Sequence, residues 1–403
     1  MANEALETFR AEAAEWLKNN FPSTLAGKGM GIEGEMTEDT RADWETWRQR
    51  LAEKGWGAPT WPKEFGGAGL SHPEAKVIAQ EMGKIGAVNH IPLIAGMGVT
   101  MVGPTIMEYG TDDQKARHLP RIASGEIRWC LGLSEPNAGS DLAGLSTKAE
   151  IDGDTFRING QKVWTSGADI SQWCGALVRT DSNAAKRDGI SFVLVPMDQE
   201  GIETRPIKLI SGASPFCETF FNDARTDKSE LLGPLNQGWS VVKRLLQHER
   251  QSQTQAGTPR ATGSRKSLQE KAKDYVGTDA MGRLADADLR NRVARHLMDA
   301  QAHSLTIGRI TAEARGNVEV SAAASILKNS ATFVAQTRAE LNLEIAGSQG
   351  VGWDGDHFSA EELGNVKDWL FGKAMSIYGG SFEVQNNIIS KNILGLPETT
   401  QKD

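Results

Sequence analysis

The stretch TFRINGQKVW, residues 155–164, sets the character of the middle of this chain. Thr155–Phe156–Arg157–Ile158 and Gln161–Lys162–Val163–Trp164 are short strand-like runs. Asn159–Gly160 lies between them, and both residue types tolerate positive φ, so the local reading is a tight β-hairpin. Cys174–Val178, Ile190–Val195 and Phe216–Phe221 are further strand candidates, separated by polar loops. Residues 126–235 are therefore expected to form a compact, largely antiparallel β domain.

On both sides of it the period is helical. Phe9, Ala13, Trp16 and Leu17 share one face at spacings of three and four, and Trp44, Trp47 and Leu51 repeat the pattern. The turn-rich stretch GWGAPTWPKEFGGAGL (55–70) interrupts them, because its glycines and prolines cannot sit in one helix. Pro73 then suits a first helical turn. After Gly238, Trp239, Val242 and Leu246 form an apolar stripe. Residues 289–340 contain almost no breakers except Gly308 and Gly316, and include the small-residue run VEVSAAAS (318–325). The turn AGSQGVGWDGD (346–356) precedes a last pair of helices ending near GLP (395–397). The expected order is helix, sheet, helix, with boundaries at 1–125, 126–235 and 236–403.

Composition narrows the function classes. The chain has 403 residues, 39% of them hydrophobic, which is too apolar for a disordered chain. A formal net charge of −8 argues against nucleic acid, whose backbone needs concentrated Lys and Arg. Cys130, Cys174 and Cys217 are far apart and form neither a disulfide framework nor a CxxC pattern, as in a reducing compartment. The first segment is charged and amphipathic, unlike a signal peptide. The longest uncharged run, Ile91 to Met107, is broken by Pro and Gly and is shorter than a membrane span. The expectation is a cytoplasmic protein with no membrane span.

Four places could carry chemistry. In VVKRLLQHER, Val242, Leu245, Leu246 and Glu249 fall on one helical face, so the Glu249 carboxylate accompanies core residues. Desolvation there raises a carboxyl pKa and suits a general base. The bland alternative is a glutamate rotated outward to pair with Arg250 or Arg244. In LGLSEPNAGSD (131–141), Leu131 and Leu133 present backbone polar groups, Ser134, Asn137 and Ser140 offer short donors, and Gly139 permits close approach. A surface turn has the same composition. In KVWTSGAD (162–169), Trp164 could cover a flat ring and Thr165 or Ser166 bond its heteroatoms, although a strand-end tryptophan is more commonly core. In IYGGSFEVQNN, Ser381 could cap a helix, with Glu383 and Gln385 following. His248 adjoins Glu249, but neighbouring helix positions point about 100° apart and make no dyad. No histidine spacing supports a metal.

Taken together, LGLSEPNAGSDL, NGQKVWTSG and YGGSFEVQNNIISKNILGLP, preceded by APTWPKEFGGAGL, resemble the acyl-CoA dehydrogenase family in order and interval. The resemblance covers nearly the whole chain. It implies the fold of that family, with an N-terminal α-helical domain, a central antiparallel β-barrel and a C-terminal four-helix bundle. It also implies FAD, an acyl-CoA substrate, and electron-transfer flavoprotein as electron acceptor. By position, Leu131, Leu133 and Ser134 resemble flavin-ring contacts, Ser140 resembles a contact shared with cofactor or thioester, and Gly139 belongs to the same cofactor-binding loop. Trp164 and Ser166 resemble residues packed against and bonded to the flavin. Gly347 and Ser348 correspond to the turn near the adenosine diphosphate, and Ser381 and Glu383 to a later FAD-contacting pair. Many members carry the base directly after the tyrosine of the last motif, where this chain has Gly379. Isovaleryl-type and long-chain-type members place it on an earlier helix in an ER pair, matching Glu249–Arg250. The resemblance therefore assigns the base to Glu249 and a thioester-binding N–H to Gly379.

Three departures stand out. Asn386 replaces a common arginine, Glu344 a common glutamine, and AGTPRATGSRKS (256–267) lacks an RxxFG pattern. A carboxylate near pyrophosphate repels it unless a cation offsets the charge. The expected assembly is a homodimer or homotetramer, or a hetero-oligomer with a second subunit of the same kind, as in relatives acting on steroid side chains or dicarboxylic acyl chains. Two other functions remain open: an acyl-CoA oxidase or related flavin enzyme, and an FAD-poor structural or regulatory subunit.

Overall fold

Helices begin where the chain supplies both an apolar face and a start signal. In the computed structural model, which describes residues 2–28, 38–94, 96–256, 266–315 and 323–397, α1 spans Ala2–Asn20, α2 Arg41–Glu53 and α3 His72–Lys84. A capping box of Ser71 and Glu74 opens α3, satisfying amides that have no partner in the first turn. Ala13, Leu17, Trp44, Trp47 and Leu51 are buried with Ile78, Met82 and Ile91 in one core. Each large side chain buried this way contributes about 1.5–3 kcal/mol relative to exposure. The uncharged run forms α4 (Ile91–Ile94), a π-helical turn (Gly98–Val102) and α5 (Gly103–Tyr109). Next comes α6 (Asp112–Ala123), opened by a Thr111–Gln114 capping box.

The chain divides into two compact units, Met1–Lys208 with Ser214–Gly263, and Leu209–Ala213 with Ser264–Asp403. The first contains the sheet: β1 (Trp129–Gly132), β2 (Lys148–Asp152), β3 (Thr155–Ser166), β4 (Trp173–Arg179), β5 (Ile190–Pro196), β6 (Ile202–Ile207), β7 (Phe216–Asp227) and β8 (Leu231–Leu232). Their order is β6-β7-β3-β2-β4-β5-β8, with β1 added alongside β4. This corrects the expected antiparallel β-barrel. The sheet is open and mixed, since β1 and β2 both run parallel to β4. Closure would require β6 to meet β8, but β8 is two residues long and ends before Gly233–Pro234. Periodicity reports that a strand exists and says nothing of its neighbours.

The hairpin is also elsewhere. β3 runs straight through Asn159–Gly160, and its turn from β2 is Gly153–Asp154, with Asp152 opposite Thr155. Gly153 has φ 61°, fitting the first position of a tight hairpin loop. Gly160 is instead at a bulge against β7, where an added Cβ would meet Thr147 Oγ1 at 2.5 Å. Glycine is needed there for close approach, and no turn is made. After β8 comes α7 (Gly238–Ala256), which packs on β5, the π-helical turn and α5.

In the second unit, α8 (Leu268–Val276) and α11 (Ala360–Gly372) each start with a capping box, Ser267–Glu270 and Ser359–Glu362. α9 (Ala287–Arg315) and α10 (Ala323–Ala346) are the long helices, and α12 (Phe382–Ile388) is short. α10 packs against α8, α9, α11 and α12. Leu268, Ala272, Leu289, Val293, Leu341 and Ile345 make the core. Residues 318–322 of the small-residue run and 257–265 of the segment lacking RxxFG lie outside the described residues. Among the described residues no helix is long and apolar enough to cross a membrane.

Candidate active site

The first unit carries most of the expected site. Leu131 is buried at the end of β1, Leu133 and Ser134 are half-buried beyond it, and Gly139 and Ser140 are exposed. A Cβ on Gly139 meets nothing within 4 Å, so no protein atom demands glycine there. The loop is held from below by Glu135. Its carboxylate accepts from Ser146 N at 2.7 Å, Ser146 Oγ at 2.8 Å, Thr147 N at 2.9 Å and Lys162 Nζ at 2.9 Å. Lys162 also donates to the Leu133 carbonyl at 3.1 Å. Burial alone would push the Glu135 carboxyl up, but the Lys162 ammonium and the hydrogen bonds hold it at about 2. Burial draws Lys162 below its ordinary value against the opposing pull of Glu135.

Beside this pair, Ser134 O accepts from Val163 N at 2.9 Å. The next residue, Trp164, has φ 61° and its side chain is 55% exposed. A bulky residue in the left-handed region is strained, and here the strain falls in a register break between β3 and β7. Phe216 supports the indole edge-on at 6.1 Å. Thr165 is buried with an unpartnered hydroxyl, and Ser166 is half-buried. An exposed indole, with the half-buried Ser166 two residues on, fits a planar heterocycle with polar edges.

Glu249 lies on α7, whose Val241, Val242 and Leu245 are buried in the same core as Leu131, with Leu133 and Leu246 packed against it. Glu249 itself is half-buried. The outward alternative loses one partner, because Arg244 donates to Glu108 through Nε and Nη2 at 2.6 Å each and to Gln247 at 3.1 Å. His248 Nε2 is 3.3 Å from the same Glu108 carboxylate.

The remaining expected residues belong to the second unit. Gly347 (φ 57°) and Ser348 are exposed where α10 ends. The Glu344 carboxylate there is matched by Arg292, which donates to it from both terminal nitrogens and also pairs with Asp288. Asn386 accepts from Asn329 Nδ2 at 2.9 Å. Gly379 is exposed with φ 65°, and its carbonyl accepts from Gln385 at 2.9 Å. Ser381 caps α12 by accepting from Val384 N, and its hydroxyl holds the exposed Glu383 carboxyl below the usual range. Gly379, Ser381 and Glu383 thus form one turn, and Gly347 with Ser348 another. Among the described residues no group of His, Cys, Asp and Glu could hold a metal ion.

Sequence reasoning missed Glu135, Lys162 and Glu108. A signal for Lys162 was present: it shares strand parity with Phe156 and Ile158, so a lysine stood on the inward face of β3.

A central sheet thus lies between two helical stretches of chain, with a strained, exposed indole near the end of β3. Family models for acyl-CoA dehydrogenase match three successive parts: the N-terminal domain at residues 3–126, the middle domain at 130–224 and the C-terminal domain at 236–394. The chain is 37% identical over 401 residues to the acyl-CoA dehydrogenase IpdE1 of Mycobacterium tuberculosis (strain ATCC 25618 / H37Rv), covering 97% of this chain and 98% of that one. Among solved structures it resembles the Tcur3481-Tcur3483 steroid ACAD at TM-score 0.78 and 29% identity, covering 98% of each chain. The ChsE4-ChsE5 complex of Mycobacterium tuberculosis matches at TM-score 0.73 and 28% identity, again over 98% of each chain. This chain belongs to the acyl-CoA dehydrogenase family.

Proposed function

We propose that the chain is one subunit of a hetero-oligomeric acyl-CoA dehydrogenase and supplies the base for α,β-dehydrogenation of an acyl-CoA thioester. The observation that carries the reading is Glu249, half-buried on a helix whose inward stripe shares a core with Leu131 and Leu133. In this reading Glu249 takes the pro-R α proton. A carboxylate can do so only where donors meet the charge developing on the thioester oxygen, and the Gly379 N–H is this chain's contribution. FAD, when bound, supplies the acceptor for the hydride leaving the β carbon. Leu131, Leu133, Ser134, Gly139, Trp164 and Ser166 orient its ring end, Ser140 is shared between cofactor and thioester, Gly347 and Ser348 face its adenosine diphosphate, and Ser381 and Glu383 are a later contacting pair. The three family matches support division near residues 125 and 235. The ChsE4-ChsE5 likeness supports a paired assembly, and the proposal takes electron-transfer flavoprotein as the electron acceptor.

Glu249→Gln is expected to slow substrate-dependent flavin bleaching by at least about 10²-fold while FAD stays bound. Bleaching at the normal rate refutes the assignment. A second reading, an FAD-poor subunit, is favoured by the engagement of Arg292 with Glu344, which commits that arginine before any pyrophosphate arrives. The assembled complex separates them: with a second subunit present, Glu249→Gln abolishes bleaching in the first reading and leaves it unchanged in the second, whereas a yellow, active chain alone overturns the mixed assembly. Reoxidation by dissolved oxygen, faster than by electron-transfer flavoprotein, would instead indicate an oxidase.

A further inference from the structure

Lys162 is fully buried and Glu135 is 5% exposed. Two buried charges cost several kcal/mol unless both are bonded on every side. Here Glu135 collects four donors and Lys162 two acceptors, and the bonds tie together three separate pieces of chain. Glu135 gathers Ser146, Thr147 and Lys162, while Lys162 reaches back to the Leu133 carbonyl. The Ser134 carbonyl is bonded to Val163, the residue after Lys162. Trp164 follows, in a stretch where the β3–β7 register breaks and the ladder itself gives little guidance.

We propose that Glu135 and Lys162 are positioning residues which fix Leu133–Ser134 against Val163–Trp164, and so set the edge on which the flavin ring lies. This rests on the reading of Leu133, Ser134 and Trp164 as flavin contacts. Lys162 is suited to the task because one ammonium serves both the carboxylate and the carbonyl. Removing it loosens the loop and leaves a carboxylate stranded.

The test is FAD titration of the full chain, with its partner subunit where the assembly needs one, followed by flavin fluorescence quenching and by thermal unfolding. Lys162→Met is expected to lower Tm and weaken FAD binding about tenfold. The double change Glu135→Leu with Lys162→Met strands no charge but leaves the Ser146 and Thr147 amides without their acceptor, so Tm is expected to recover in part. FAD binding is expected to stay about tenfold weak, since the Leu133 carbonyl still lacks its donor. Recovery of both would make the pair a stability device only and overturn the proposal. Trp164→Ala is the control. If it weakens FAD while neither Lys162 variant does, the positioning role alone fails. If Trp164→Ala has no effect, the flavin-contact reading fails and takes this inference with it.

Discussion

Two carboxylate–cation pairs, Glu135–Lys162 in the first unit and Glu344–Arg292 in the second, behave as different devices. In the first, Lys162 is fully buried and the carboxylate collects four donors. In the second, both side chains are 45% exposed, and Arg292 divides its donors between Glu344 and Asp288. Water can replace a lost partner only in the second. The buried pair therefore holds a loop, while the exposed pair adjusts the charge beside a turn. Chemistry of the side chains is nearly the same; burial decides the role.

Breaking each pair sharpens that contrast. Lys162→Met is expected to destabilise the fold by about 3–5 kcal/mol, measured by denaturant unfolding. A loss under about 1 kcal/mol would mean that water reaches the pair and would erase the distinction. Acid should act on the first unit in two stages. Burial, with help from Arg48, depresses His90 from 6.5 to about 4, so its contribution is complete above 6.5 and fades as pH falls towards 4. That contribution is roughly 3 kcal/mol at most. Glu135, lowered from 4.5 to about 2, holds its share until pH drops below about 4.5 and loses it by about 2. Replacing His90 by Gln should remove the upper stage of acid unfolding and leave the lower; an unchanged profile contradicts this account.

Smaller effects follow at the surface. Trp164→Gly should raise stability by about 1 kcal/mol by relieving the positive φ, while weakening FAD, with both readouts taken on one preparation. A stability loss instead would show that the indole is needed for packing. Arg292→Gln should leave Tm near the wild-type value, and weaken FAD most at low salt, where the bare Glu344 charge is least screened. A large drop in Tm would place this pair with the buried one.

Much of the fold was legible. Spacing identified the faces of α1, α2 and α7, and a hydroxyl residue followed three positions later by Glu or Gln marks the starts of α3, α6, α8 and α11. The strand candidates at 174, 190 and 216 begin within a residue of β4, β5 and β7. The family followed from motif order, which is a property of the chain alone. Other readings failed where a distant segment decided the outcome. Asn159–Gly160 has the composition of a hairpin, but the approach of Thr147 makes it a bulge. The barrel was expected because alternation names faces and not neighbours, and β4 accepted parallel partners. Glu344 looked repulsive until Arg292, more than fifty residues away, stood beside it. Local dihedral preference and side-chain period are written residue by residue, so the sequence determined the elements and the motifs. Partner choice, register and burial depend on which remote surfaces meet, and only the tertiary structure decided those, because desolvation acts on a charge where the folded chain puts it.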